Sequence, residues 1–233
     1  MKFYEFNRGE YTIMELFEIS DQIVDESDPD LHLSQLHHAI QTGERARQLY
    51  PAPEMDWFWF TAFIHDLGKV LAVFGEPQWN VVGDTFPVGC AFDPTNIYHE
   101  YFVNNPDTTN EIYSTSCGIY AEGCGFDNVT FSFGHDDYLS TCLEYNKCTA
   151  MPYEALYCIR YHSFYPWHKQ GGYIHLASDT DKNLRSLLQA FQSCDLYSKD
   201  DDNIYTSEKY TELEEFYRRL ANKFIGLTKV LRV

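Results

Sequence analysis

Apolar residues recur along most of this chain at helical spacing. Between Thr12 and Val24 they are Ile13, Met14, Leu16, Phe17, Ile19, Ile23 and Val24. In Leu36–Tyr50 they are Leu36, Ala39, Ile40, Ala46, Leu49 and Tyr50, mostly on one side, and Pro51 and Pro53 end the run. The stretch before His65, Trp57–Ile64, is apolar on every side and predicts a buried helix. Asp56 suits its N-cap and Gly68 the residue that ends it. Helical patterns resume over Asn128–Asn146 and Pro152–Ser163, then from about Asp181 to Tyr197 and from about Ser207 to Phe224. Pro152 fits a first turn, and Pro166 stops that helix from continuing. No stretch alternates with period two, so the fold class expected is all-α, a single helical domain over residues 1–233. The longest irregular stretch, Val70–Ala91, is punctuated by Gly75, Pro77, Gly83, Pro87 and Gly89, and long loops of this kind are usually functional.

Composition narrows the chemistry. The chain is 44% hydrophobic and 17% aromatic, enough for a sizeable core. Its formal net charge of −18 argues against nucleic acid or an anionic membrane as partner and disfavours an anionic substrate. The acidic clusters Asp25–Asp30 and Asp200–Asp202 read as solvated loops. Seven cysteines at irregular spacing, with no CxxC, read as reduced thiols. There is no signal-peptide-like start and no apolar run of about 18 residues. A soluble, cytoplasmic protein is therefore the expectation; a monomer is expected too, although the sequence itself does not reveal oligomeric state.

A charged carboxylate in an apolar core must be paired, protonated or on a metal. His65-Asp66, at the end of the apolar run, poses that problem, and His38, His135, His162 and Asp195 recur in similar settings. His38 and His65 are 27 positions apart, as are His135 and His162, an interval that fits a helix, a turn and a return. Neighbours on a helix point about 100° apart, so His65 and Asp66 do not chelate one ion as an i,i+4 pair does. They suit a dinuclear site instead, with Asp66 bridging two ions. Imidazole and carboxylate donors fit iron, manganese, zinc or nickel, and the lack of thiolates argues against structural zinc. Blander readings apply nearby. Asp136 and Asp137 could as easily face solvent, and only one of His37 and His38 is expected to face the core. His32, His99, His168 and His175 lie in or near loops and read as surface residues. Trp57, Trp59, Trp79 and Trp167 read as packing.

Longer words add specificity. His38-Ala39-Ile40-Gln41-Thr42, Leu67-Gly68-Lys69-Val70-Leu71-Ala72, Phe74-Gly75-Glu76-Pro77-Gln78-Trp79, Val81-Val82-Gly83-Asp84-Thr85-Phe86-Pro87-Val88-Gly89-Cys90, Gly134-His135-Asp136, Tyr161 to His168, and Asp195-Leu196-Tyr197 resemble the myo-inositol oxygenase family, in the same order from about Tyr11 to Lys223. Val24 to Asp30 matches too. The resemblance implies a helical domain of the His-Asp type with two iron ions in a mixed-valent Fe(II)/Fe(III) pair, O2 as co-substrate, and cleavage of the C1–C6 bond of myo-inositol to D-glucuronate. It assigns His38, His65, Asp66 and Asp195 to one iron and Asp66, His135 and His162 to the other. It assigns substrate contacts to Asp25, Glu26, Ser27, Lys69, Gly83, Asp84, His162 and Ser163, with Lys69 and Asp66 catalytic. A cation at Lys69 suits a metal-bound alkoxide. A glycine-rich loop at Gly83-Asp84 suits close approach of the backbone to a polyol.

The chain departs from the family at both ends. A longer N-terminal segment bearing a substrate-contacting arginine has no counterpart, and the family's Pro-Gly-x-Leu-x-Trp-like ending is replaced by Ile225 to Leu231. Alternative readings are a metal-dependent phosphohydrolase of the wider His-Asp superfamily, an oxygenase acting on another cyclitol, and a metal-binding protein without turnover.

Overall fold

The structure, a computed structural model, describes residues 2–23, 34–196, 205–226 and 228–233. The predicted contacts at Asp25, Glu26 and Ser27, His32 and both acidic clusters lie outside these residues. The helices are α1 (Ile13–Ser20), α2 (Gln35–Leu49), α3 (Asp56–Ile64), the single-turn α4 (Gln78–Val81), α5 (His135–Tyr145), α6 (Tyr153–Tyr161), α7 (Asp179–Leu196) and α8 (Ser207–Phe224). Two-residue strands, β1 (Glu10–Tyr11) and β2 (Leu231–Arg232), pair antiparallel with Tyr11 opposite Leu231. The all-α expectation holds. Among the described residues no helix is long and apolar enough to cross a membrane, and all seven cysteines are free thiols.

The chain divides into two compact units. The first comprises residues 1–83, 134–160 and 191–233, and the second 84–133 and 161–190. In the first, α3 is the central rod, packed against α2 and α8. Its all-round apolar sequence leaves Phe58, Phe60, Phe63 and Ile64 at 0–1% exposure. Phe63 stacks on Tyr217 of α8 at 4.5 Å between ring centroids, Phe60 stacks on Phe224 at 5.4 Å, and Phe58 meets Phe191 edge-on at 5.7 Å. Such pairs contribute about 0.5–1.5 kcal/mol each beyond the area they bury. Caps fix where the helices begin. Thr12 and Glu15 close a reciprocal capping box on α1, and the Ser34 hydroxyl accepts from the His37 amide at 3.2 Å to start α2. At the other end of α2, the Trp59 indole donates to the Tyr50 carbonyl at 2.8 Å.

Gly68 does not end α3 as expected. The helix stops at Ile64, and Gly68 lies within a 3-10 turn, Leu67–Ala72. Its missing side chain serves close packing, since a Cβ there would sit 2.0 Å from the His135 carbonyl oxygen. Trp79 also departs from its expected packing role, being 82% exposed, whereas Trp59 and Trp167 are buried.

The second unit is built mainly from turns. Val88 N–H donates to Thr130 O and Ser132 N–H to Phe86 O around a Pro87–Phe131 bridge. Gly123 and Gly125 amides donate to His175 and Leu176 carbonyls. Phe126 is the hub of its core, edge-on to Phe131, Phe164 and Trp167 at 5.0–6.1 Å.

Candidate metal centre

The centre is built where helices break. α3 ends just before His65, where the chain passes into the 3-10 turn Leu67–Ala72 with His65 and Asp66 still in right-handed helical conformation, and His65 Nε2 lies 3.5 Å from Asp66 Oδ2. His38 comes from the second turn of α2, and its Nε2 lies 3.6 Å from the same oxygen. Asp195, near the end of α7, places Oδ1 3.2 Å from His38 Nε2 and 3.4 Å from His65 Nε2. His135, the first residue of α5, approaches the opposite side of Asp66, with Nε2 3.2 Å from Oδ1. The two oxygens of Asp66 thus face different imidazoles.

Hydrogen bonds set which nitrogen is presented. A carbonyl only accepts, so His65 Nδ1–H donates to Ala62 O at 2.8 Å, and His135 Nδ1–H donates to Val81 O at 2.8 Å. Each ring therefore directs Nε2 at the carboxylates, the arrangement that orients metal-binding imidazoles. Gln192, one turn before Asp195, donates from Nε2 to its Oδ2 at 3.2 Å and leaves Oδ1 for the cluster.

The side chains fit a cation. Among the described residues neither ring nitrogen of the buried His38 has a hydrogen-bond partner, although Nε2 is within 3.6 Å of two carboxylates. His38, His65 and Asp195 each offer a donor atom within 4.8 Å of the others. Burial works against charge on His65, yet Asp66 and Asp195 raise its pKa. Burial likewise works against charge on Asp195, but His65 and His38 outweigh it and hold the carboxyl well below the usual range. The donors are imidazole and carboxylate, the set that suits iron, manganese, zinc or nickel.

Lys69 is buried rather than on the surface. It lies three residues after Asp66 in the 3-10 turn, where positions i and i+3 eclipse, and Nζ is 2.9 Å from Asp66 Oδ2. Gly83 takes φ +100°, and among the described residues no atom lies within 4 Å of where a Cβ would point, so it is the conformation that demands glycine there.

In the second unit His162 and Ser163 are buried, and the Ser163 carbonyl accepts from Thr85 N–H at 3.1 Å. That bond ties the residue after Asp84 to the one after His162. Two expectations need correction. His168 is fully buried, with Nε2 3.0 Å from the His162 carbonyl oxygen, and burial lowers its pKa to about 4. Asp136 is also fully buried, its Oδ1 accepting from the Asp137 amide at 2.8 Å. Only Asp137 is partly exposed, bonded to Tyr4 and paired with Arg160. Gln192 escaped sequence reading, although its i,i+3 spacing from Asp195 was a signal.

A family model described as myo-inositol oxygenase matches residues 1–231. The chain belongs to that family. Among relatives of this family, an inositol oxygenase of Dictyostelium discoideum is 45% identical over 215 residues, covering 91% of this chain and 72% of that protein. Inositol oxygenase 2 of Arabidopsis thaliana is 47% identical, covering 94% and 68%. An inositol oxygenase of Bos taurus is 42% identical, covering 96% and 76%.

Proposed function

We infer that the chain is an inositol oxygenase, an oxidoreductase that uses O2 to open the ring of myo-inositol at the C1–C6 bond and yields D-glucuronate. The observation that carries the reading is Asp66, whose Oδ2 faces His38 and His65 and whose Oδ1 faces His135. A carboxylate used from both oxygens suits a bridge between two ions, and family membership makes iron the proposed metal. When bound, such a pair supplies the activation of O2.

The chain's own residues do the rest. His38, His65, Asp66 and Asp195 would hold one ion, and Asp66 with His135 would serve the second. His162 as the second ion's further ligand rests on the family resemblance. Lys69 places an ammonium beside Asp66, where it favours an alkoxide over the hydroxyl it came from. Asp25, Glu26, Ser27, Gly83, Asp84 and Ser163 are proposed polyol contacts on the same resemblance; a neutral hydroxyl-covered substrate needs many such partners. The comparisons do not favour the phosphohydrolase alternative. A monomer in the cytoplasm completes the proposal, the seven free thiols supporting a reducing compartment.

The test is to incubate iron-loaded, partly reduced protein with myo-inositol and O2. Glucuronate with matching oxygen uptake is expected, and the absence of both overturns the reading. A spin-coupled mixed-valent resonance that responds to myo-inositol tests the two irons separately.

A further inference from the structure

Helix α6 stops at Tyr161, and a helix end leaves carbonyls that need donors. The carbonyl of Tyr161 and the two that follow the helix are met in three ways. Tyr161 O accepts from Phe164 N–H at 3.0 Å, and Ser163 O accepts from Thr85 N–H at 3.1 Å. His162 O, between them, accepts from the imidazole of His168 at 3.0 Å. Because the carbonyl only accepts, Nε2 of His168 carries the proton.

His168 is built in for that contact. It lies inside a π-turn, Pro166–Gln170, a rare geometry that recurs at functional sites. Its own carbonyl accepts from Gln189 Nε2 at 2.6 Å, and the Tyr165 ring stands 5.2 Å away. The ring is completely buried, and its Nδ1 has no hydrogen-bond partner among the described residues.

We propose that His168 is a positioning residue for His162: its Nε2–H caps the His162 carbonyl and so fixes the backbone from which the His162 imidazole projects. The inference rests on the reading of His162 as a metal ligand. Outer groups that orient ligands typically change metal affinity or activity by about 10–100-fold when removed.

The test compares full-length protein with His168→Phe, which keeps a ring without the donor, His168→Gln, which keeps an N–H donor, and His162→Ala. Each is loaded with ferrous iron and challenged with graded chelator, and iron per chain is read alongside kcat, KM and the melting temperature. His168→Phe is expected to release part of its iron at about 10–100-fold less chelator than the unmodified protein. His168→Gln is expected to recover most of that loss. Equal impairment of Phe and Gln variants overturns the proposal, because packing alone would then explain it. So does unmodified iron retention in His168→Phe while His162→Ala loses iron. If His162→Ala itself keeps all its iron, the ligand reading of His162 fails, which the chelator series separates from failure of the positioning role. Should His168→Phe not fold, His168→Ala takes its place and the comparison with Gln decides.

Discussion

The two compact units hold their candidate site residues by different means. In the first, helices, their breaks and hydrogen-bonded rings aim the donors: His65 and His135 each spend Nδ1 on a nearby carbonyl and present Nε2. In the second, backbone carries the load. Glycines at positive φ, single bonds between loops and a π-turn fix the chain near His162 and Ser163. Rigid placement needs no long helix if the backbone donors and acceptors are closed locally. It does need particular residues at particular turns, so damage in the two units should look different.

The largest expected effect is at the carboxylate that serves both sides of the first unit's cluster. Asp66→Asn keeps the shape but loses a negative charge, and an amide presents only one oxygen. At least one metal per chain should be lost and turnover with it, as metal analysis and an oxygen electrode would read. Full metal content in this variant would end the bridging role. Next comes the rod itself. Phe60→Ala removes a fully buried ring stacked on Phe224 and should cost about 3–5 kcal/mol in chemical denaturation. A loss below about 1 kcal/mol would mean that α3 is not the element around which this unit packs.

Lys69→Ala sharpens the contrast from the site side. The ammonium touches Asp66 yet donates no ligand, so iron content should stay intact while kcat falls about 100-fold, the scale of removing one charge-stabilising donor. Unchanged kcat would remove Lys69 from the mechanism.

The same division explains what could be read from the residues alone. Apolar periodicity is strong where helices bury one face or all faces, so α2, α3, α7 and α8 were legible, α8 to the residue at Ser207 and Phe224. His38, His65, Asp66, His135 and Asp195 were legible because buried polar residues in such runs demand an explanation. The role of Gly68 was not, because a close approach to the His135 carbonyl is a long-range contact that leaves no local trace. The burial of His168 was missed for a related reason. Loop-like spacing around Pro166 says nothing about a π-turn that folds an imidazole back onto a carbonyl six residues earlier. The strands β1 and β2 are two residues each, too short for alternation to register.

The smallest expected effect falls in the second unit. Gly118 has φ +57°, and a Cβ there would lie 1.8 Å from the Gly89 carbonyl oxygen and 2.5 Å from Cys90 Cα. Both contacts are backbone, so Gly118→Ala must part the segments that Ala91 N–H to Thr115 O and Ile119 N–H to Gly89 O hold together at 2.9 and 3.0 Å. Overpacking of this kind costs about 1–3 kcal/mol. Hydrogen exchange should show the Ala91 and Ile119 amides losing protection while α3 amides keep theirs, because local opening releases only the bonds within its own cooperative unit. Metal content per chain should stay unchanged. If α3 amides lose protection equally, the damage is not confined to the loops around Gly118, and the distinction drawn between the two units fails.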